Sequence, residues 1–310
     1  MKKLLLFGAL GALLCTSCEK VETPSGSSDP FGGTDPYDVL YPNGDSAHYA
    51  QNAWPVFSAN TSNDRNVLIE DYTGHKCQFC PIAADTAYAI RASNPGRVVV
   101  MGIHAGPNGT ETFQLENNIF NGIYYNALSE TLGQYFGVQW PGSNFIGNPY
   151  GAVSRRDNGS GTPMEGPPNW ANSTNSILQT NDNKVRLQAA SNYYPSTNGL
   201  FLHTEVEVVD PALTNELRIV SYLVEDESIS PQLTPTDTLF NYSHKDILRE
   251  SIDGSVWGQE LDAEHLDNGK YYFNYIYEVP EAYDNTSSHL VIFVRDAVTE
   301  EVYQVIKHEF

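Results

Sequence analysis

The chain has 310 residues, 40% of them hydrophobic and 12% aromatic, and its formal net charge is −21. This composition predicts a folded protein with room for two domains, and a surface this acidic excludes nucleic acid as an expected partner because a phosphate backbone would be repelled. No apolar run beyond the N-terminus has the length of a bilayer span, so we expect no integral membrane domain.

Residues 1–17 have the pattern of a secretory signal. Two lysines precede an apolar run over residues 4–14, which is too short to span a bilayer as a helix. The segment resembles a lipoprotein signal, in which a small residue precedes a cysteine that receives lipid. Ser17 and Cys18 match these positions, although Cys15 stands where an aliphatic residue is usual. The resemblance implies a palmitate-type lipid anchor at Cys18, and the alternative is an ordinary signal peptide.

Residues 18–52 are rich in Pro, Gly, Ser and Asp. Such a segment buries little apolar surface, so the sequence predicts a flexible tether that holds the folded part away from a membrane.

The most informative stretch is residues 67–81. Three apolar residues of a buried strand come first, followed by Thr73 and Gly74 and then by the pair Cys77 and Cys80. Pro81 begins a helical pattern, so the two thiols are predicted to lie where a strand leads into a helix. A helix N-terminus favours thiolates, and His75 and Lys76 add nearby positive charge. Cys77 is expected to be the more exposed sulfur and the nucleophile.

An acid on the strand extends this pattern, since Asp71 precedes Cys77 by six residues. The arrangement resembles the thioredoxin superfamily, in which a buried acid at this offset moves protons during thiol–disulfide exchange. The longer string over residues 70–81 resembles the outer membrane protein 28 family of bacterial lipoproteins. The resemblance implies a thioredoxin-like domain at residues 53–182, with catalytic roles for Cys77, Cys80 and Asp71, and a location at the outer membrane.

The rest of this domain follows the same pattern. Residues 97–103 form an apolar run typical of a parallel strand, and His104 at its end is a candidate base near the cysteines. Residues 107–147 are predicted to be an insertion with a helix over residues 126–136, and a weak helix is predicted over residues 170–180.

Pro149 is the candidate for substrate positioning. Thioredoxin-like proteins place a cis proline before a strand that faces the cysteine pair, and Pro149 before residues 150–154 resembles that element. The backbone there can pair with an extended substrate segment. Pro141 is the rival candidate, and an ordinary trans turn is the simpler alternative.

Residues 183–310 are predicted to form a second domain of antiparallel strands, an Ig-like β-sandwich. Five runs rich in Val, Ile, Tyr and Phe read as strands, with a tight connection at Thr299 and Glu300. Residues 242–249, which contain His244, are interpreted as a polar loop. The predicted strand runs are residues 200–209, 216–225, 270–279, 288–296 and 301–309.

Three functions remain open from the sequence. The first is thiol–disulfide exchange with envelope or surface proteins, with no cofactor. The second is a non-enzymatic surface lipoprotein that binds a protein or glycan and keeps the cysteine pair as a structural disulfide. The third is metal handling by Cys77, Cys80, His75 and His104, of which a zinc half-site would be one form.

Overall fold

The structure is a computed structural model that describes residues 31, 33–283 and 285–310. The predicted signal at residues 1–17 and the predicted lipidation site at Cys18 lie outside the described residues. None of the helices in the described ranges is long and apolar enough to cross a membrane.

The described helices lie mainly in the first half of the chain. The helix predicted over residues 126–136 is confirmed, and it continues as a π-helical turn at Tyr135–Gln139. The weak helix predicted over residues 170–180 is also confirmed and begins slightly earlier. The helices are α1 (Pro36–Leu40), α2 (Ser46–Asn52), α3 (Cys80–Ser93), α4 (Ala127–Gln134) and α5 (Pro167–Thr180).

The described strands form two sheets. The larger has nine strands in the order β13-β12-β7-β8-β2-β1-β3-β4, with β9 paired to β7, and the smaller has four in the order β10-β11-β6-β5. The fold is therefore mixed α/β and dominated by strands. The strands are β1 (Val67–Tyr72), β2 (Val98–Ile103), β3 (Tyr150–Val153), β4 (Met164–Glu165), β5 (Val185–Tyr194), β6 (Gly199–Val208), β7 (Leu217–Leu233), β8 (Thr238–Ser251), β9 (Gln259–Glu260), β10 (Leu266–Asp267), β11 (Lys270–Glu278), β12 (Ser288–Asp296) and β13 (Val302–His308).

The first half, residues 53–182, contains a strand–helix–strand unit. β1 and β2 are parallel, and α3 connects them, while β3 adds to β1 in the antiparallel sense. Both faces of this sheet are covered, which explains why every residue of β1 is buried and why β2 reads as a continuous apolar run. One face packs on α3 and α5, where Trp170 and Ile177 are buried, and the other packs on α4.

The second half, residues 183–310, supplies strands to both sheets. All five predicted strand runs are strands, but residues 242–249, predicted to be a loop, lie inside β8. The loop prediction is wrong because this polar run belongs to a long antiparallel hairpin with β7. A core between the sheets includes apolar residues of β5, β6 and β11 on one side and of β7, β12 and β13 on the other. The prediction that residues 183–310 form an Ig-like β-sandwich stays a prediction.

The two halves share the larger sheet. β8 pairs with β2 in the parallel sense at Gly102 and Ile247, so the sheet runs from one half into the other. Gly102 is suited to this approach, because a Cβ there would lie 3.3 Å from the carbonyl oxygen of Lys245. The predicted boundary after residue 182 falls between α5 and β5.

A buried ion network also joins the halves. Arg155, directly after β3, donates to both carboxylate oxygens of Glu70 at 2.7 and 2.8 Å. Its remaining nitrogen lies 3.4 Å from Glu300 in the β12–β13 turn, and Arg295 donates to the same carboxylate at 2.5 Å. All four side chains are nearly inaccessible. Charges buried this deeply are retained only where they have partners.

The segment predicted to be a flexible tether is folded where it is described. α1 and α2 pack against the outer face of the smaller sheet, where Leu40 and Tyr49 contact Phe201 and Ile276. The prediction is wrong for residues 33–52 because aromatic side chains spaced among the polar residues supply enough apolar surface to dock. Each helix also has an aspartate cap, Asp35 or Asp45.

Candidate functional site

The cysteine pair lies where the sequence predicts it. β1 ends at Tyr72, the chain turns, and α3 begins at Cys80 with Pro81 in its first turn. Cys77 and Cys80 form a disulfide with their Cα atoms 5.4 Å apart. The strand-to-helix position of the pair is therefore confirmed.

Both cysteines are buried, which the sequence does not predict. Cys77 is 2% exposed and Cys80 is 1% exposed. Cys77, predicted to be the more exposed of the two, is therefore only marginally more accessible than Cys80. The intervening residues Gln78 and Phe79 are exposed instead.

The long β7–β8 hairpin of the second half covers this turn. The side-chain amide of Gln232, near the end of β7, donates to the carbonyl oxygen of Cys77 at 2.9 Å and to that of Gly74 at 3.4 Å. The backbone N–H of Leu233 donates to the carbonyl oxygen of His75 at 2.8 Å. The cover is thus held by hydrogen bonds to the backbone of the cysteine turn.

The insertion at residues 107–147 shapes the other side of the site. The side-chain amide of Gln114 donates to the carbonyl oxygen of Thr73 at 2.7 Å and to the Asn148 side-chain oxygen at 3.1 Å. The backbone N–H of Lys76 donates to the carbonyl oxygen of Phe113 at 3.1 Å. The Gln114 bridge ties the cysteine turn to the segment before β3.

That segment contains the predicted cis proline. The Asn148–Pro149 bond is cis, and no other cis bond is present among the described residues. The bond before the rival candidate, Pro141, is therefore trans. β3 follows directly and pairs with β1, placing Gly151 opposite Asp71. Pro149 therefore lies just before the strand that pairs with β1, and Gln114 links the preceding Asn148 to Thr73, directly after β1.

Asp71 is the acid beside the disulfide. It is 4% exposed, and burial raises the pKa of its carboxyl to about 8. Within the described chain its Oδ1 atom has no hydrogen-bond partner. Asp71 and Cys80 line the same small cavity of ≈20 Å³. A carboxyl with this pKa can release and accept a proton near neutral pH.

His104 lines the cavity too, as the position after β2 predicts. It is 3% exposed, and burial, with smaller effects of His244 and Arg249, lowers the pKa of its imidazole well below the usual range. His75 does not line this cavity, and its Nε2–H donates to the carbonyl oxygen of Leu115 at 2.9 Å. Lys76 is half-buried.

His244, predicted from the sequence to lie in a polar loop, and Tyr124, not singled out from the sequence, also belong to this site. His244 comes from β8 and lines the cavity, and burial lowers the pKa of its imidazole to about 4. Tyr124, from the insertion, contacts the rings of His104 and His244 at 4.8 and 4.6 Å between centroids. The alternating Phe240, Tyr242 and His244 could have indicated a strand, but nothing in the sequence shows what it packs against.

The metal-handling alternative requires several ligands in one place. Among the described residues, no group of three or more His, Cys, Asp or Glu side chains is arranged to hold a metal ion. The structure thus does not bring Cys77, Cys80, His75 and His104 together as a ligand set.

The family model described as outer membrane protein Omp28 matches residues 140–310, more than half of the chain. The chain belongs to the outer membrane protein Omp28 family. The match begins just before Pro149 and covers the whole second half, including the hairpin over the disulfide. No curated protein matches the chain.

The likeness to one of the similar solved structures is strong enough to indicate a shared fold. HBP35 of Porphyromonas gingivalis superposes with a TM-score of 0.60 at 14% identity, covering 81% of this chain and 77% of that one. A protein of Agrobacterium tumefaciens gives a TM-score of 0.48 at 10% identity, covering 81% of this chain and 96% of its own. A domain of the outer membrane lipoprotein Omp28 from Porphyromonas gingivalis is 19% identical over 41% of this chain and 88% of its own, with a TM-score of 0.28.

Proposed function

We propose that this Omp28-family protein exchanges thiols and disulfides with envelope or surface proteins through Cys77 and Cys80. The observation that carries the proposal is the cavity beside the disulfide, where the buried Asp71 carboxyl lies with Cys80. A carboxyl with a pKa near 8 at that position is suited to proton transfer with a cysteine of ordinary pKa.

In the reduced protein, the Cys77 thiolate attacks a partner's disulfide and forms a mixed disulfide with one of the partner's sulfurs. Cys80 then attacks Cys77, and the partner leaves as a dithiol. The oxidised protein runs the same steps in reverse on a partner dithiol. Asp71 takes or returns the Cys80 proton, and the backbone at Pro149 pairs with the partner segment.

Access to Cys77 requires the hairpin to move. The cover at Gln232 and Leu233 consists of three hydrogen bonds to the turn. Net contributions of such bonds are about 0.5–1.5 kcal/mol each, which a docking partner can replace with its own. The proposal therefore includes a site that is closed in the free protein and opened by its partner.

The trapping test uses the variant Cys80→Ser, which cannot resolve a mixed disulfide. We expect it to accumulate covalent adducts with envelope proteins that disappear on reduction. The control is the double variant Cys77→Ser/Cys80→Ser, which should form none. A Cys80→Ser protein that stays free of adducts, together with a wild type that cannot reduce insulin, would contradict enzymatic exchange.

We also propose a lipid anchor at Cys18 that places the protein at the outer membrane. Membership of an outer membrane protein family supports this location. Labelling of cells with palmitate should mark the wild type and not the Cys18→Ser variant. Label retained by Cys18→Ser would contradict the assignment.

A second candidate has an observation of its own. The burial of both sulfurs favours a structural disulfide in a surface lipoprotein that binds a protein or glycan through its second half. This candidate predicts a disulfide that resists mild reductants in the folded protein and ligand binding that survives loss of both thiols.

A further inference from the structure

One edge of β8 is free along residues 239–243, which we call the β8 edge. Among the described residues, this segment has β7 as its only neighbouring strand, and β8 pairs with β2 on its other side only at Ile247. The free side of the segment therefore presents backbone N–H and C=O groups without a strand to bind them. Such an edge can accept a further strand from another chain.

The β8 edge lacks the residues that usually block strand addition. Residues 239–243 contain neither a charged residue nor a proline. Natural edge strands commonly carry charges or prolines, because an unprotected apolar edge pairs with other chains. The composition of this segment therefore indicates an edge that is kept open for a partner.

The β8 edge also carries exposed apolar side chains. Leu239 is 45% exposed and Phe240 is 65% exposed. The register with β7 shifts between Leu239 and Tyr242, so Phe240 and Asn241 are not paired in this ladder. A bulge of this kind re-aims side chains and is common next to active sites. The apolar side chains are thus available to a bound segment.

A groove of ≈410 Å³ lies between the β8 edge and α3. Asp85 and Tyr88 of α3 line one side, and the whole β8 edge lines the other together with Lys245. This volume lies in the range of ligand sites, about 300–1,000 Å³. The groove is therefore large enough to receive side chains of an extended segment.

The groove adjoins the cavity beside the disulfide. Tyr88, Tyr242 and Lys245 line both the groove and the cavity, and Cys80 lines the cavity. A segment bound along the β8 edge therefore lies next to the cysteine pair.

The start of α3 extends the apolar surface toward the cysteine turn. Ile82 lies three residues before Asp85, on the same face of the helix, and it is 58% exposed. Phe79, three residues earlier again, is 57% exposed. Neighbouring exposed apolar side chains of this kind mark interaction sites.

The net charge of the chain favours one class of partner. The groove itself contains one acid, Asp85, and one base, Lys245, whereas the whole chain carries −21. Opposite overall charge speeds association, and like charge suppresses it. A neutral or basic partner is therefore favoured over an acidic one.

We propose that the β8 edge binds an extended, apolar segment of a neutral or basic partner protein by strand addition, with side chains of that segment in the groove beside α3. The inference rests on the proposed exchange function in identifying this partner as the exchange substrate. It names the substrate class, which is a protein that is unfolded around its cysteines. Pairing through the backbone depends little on sequence, so the edge can serve many such proteins.

The test uses a labelled peptide without cysteine and the oxidised, folded protein. The probe alternates valine and threonine over about eight residues and has a lysine at each end. The control peptide has two prolines in place of the central valine and threonine, which removes a backbone donor from each edge of the strand. Fluorescence anisotropy measures the dissociation constant of each peptide.

We expect the alternating peptide to bind the wild type about tenfold or more tightly than the proline peptide. Phe240→Asp and Leu239→Asp each place a charge on the edge and should weaken binding of the alternating peptide by about tenfold. Aspartate is chosen because it does not repel the lysines of the peptide. Val298→Asp, at a similarly exposed apolar residue in the β12–β13 turn, is the control and should bind like the wild type.

Three outcomes overturn the proposal. Equal affinity of the wild type for the two peptides shows that the backbone does not pair. Wild-type affinity in both Phe240→Asp and Leu239→Asp shows that the peptide binds elsewhere. A wild type that sediments as a dimer, which Phe240→Asp dissociates, shows that a second copy of the chain occupies the edge.

Failure of the exchange function is a separate result, because the probe has no cysteine. Edge-dependent peptide binding, together with a Cys80→Ser protein free of adducts, supports the binding site and contradicts only the exchange. Adducts of Cys80→Ser, together with peptide binding that does not depend on the edge, support the exchange and overturn this inference.

Discussion

Glu70 and Asp71 are adjacent on β1 and both are buried, yet they lie in opposite environments. Glu70 faces the ion network, where Arg155 holds both of its oxygens. Asp71 faces the cavity at Cys80, where its Oδ1 atom has no partner among the described residues. Because successive side chains on a strand point to opposite faces, one strand can carry an acid with an ion-pair partner and an acid without one side by side.

The two acids show that the effect of burying a charged side chain depends on whether it has an ion-pair partner. On the Glu70 face, every buried charge has a partner, and the network joins the two halves of the molecule. On the Asp71 face, burial without a partner shifts the pKa of a carboxyl toward neutrality. We expect the first face to respond to substitution with a loss of stability, and the second with a change in pH dependence.

The largest effect is expected from breaking the paired face. Arg155→Leu leaves Glu70 and Glu300 buried without their shared cation, which costs about 3–5 kcal/mol of unfolding free energy. Denaturant unfolding measures it, and the matched control is Arg156→Leu at the half-buried neighbour. Equal stability of the two variants would show that the network is not structural.

On the Asp71 face, we expect the free energy of unfolding to depend on pH. The Asp71 pKa is about 8 in the folded protein against an ordinary 3.8, so the folded state holds a proton that the unfolded state releases between these values. Stability is therefore lost as pH rises through this window, by up to about 4 kcal/mol between about pH 5 and pH 8.

Asp71→Asn removes this slope, and it should be more stable than the wild type near pH 8. Thermal unfolding across the pH range measures the difference, with the exposed Asp85→Asn as the control. Parallel profiles for Asp71→Asn and wild type would mean that Asp71 ionises normally.

An apolar contact of α1 provides a reference for the size of these stability changes. Leu40 on α1 is 1% exposed against the smaller sheet, whereas its neighbour Val39 is 42% exposed. Leu40→Ala should cost about 3 kcal/mol of unfolding free energy, and Val39→Ala should cost little. Equal small losses would indicate that residues 36–52 do not dock as described.

The smallest effect on stability, with a clear effect on access, is expected at the cover. Gln232→Ala removes the side-chain hydrogen bonds to the carbonyls of Gly74 and Cys77, worth about 1–2 kcal/mol together. Reduction of the folded protein by a water-soluble phosphine should become about tenfold faster, because 1.4 kcal/mol is a factor of ten in an opening equilibrium. The exposed Thr236→Ala serves as control, and equal rates would contradict a gating role for Gln232.

The sequence predicts the site where local pattern determines structure. The buried strand, the cysteine pair and Pro81 define a strand-to-helix junction within fifteen consecutive residues, and Asp71 and Pro149 follow from the family resemblance. His104 is placed correctly because it ends a recognisable parallel strand. These features depend on spacing along the chain.

The cover could not be predicted because it depends on contacts between distant residues. Gln232 lies more than 150 positions after Cys77, and a single polar residue has no pattern of its own. Within residues 242–249, Tyr242, His244 and Lys245 line the cavity, and these polar side chains interrupt the apolar alternation, so a strand resembles a loop. The docked helices at residues 36–52 depend in the same way on a sheet formed much later in the chain.

The central claim is that Cys77 and Cys80 exchange with partners in the folded protein. The direct measurement is the reduction potential of this pair, obtained by equilibration in thiol–disulfide buffers with folding monitored in parallel. The account predicts a folded protein throughout and a potential in the range of disulfide oxidoreductases, about −120 to −270 mV. A potential below about −300 mV, or reduction only as the protein unfolds, would contradict it and indicate a structural disulfide.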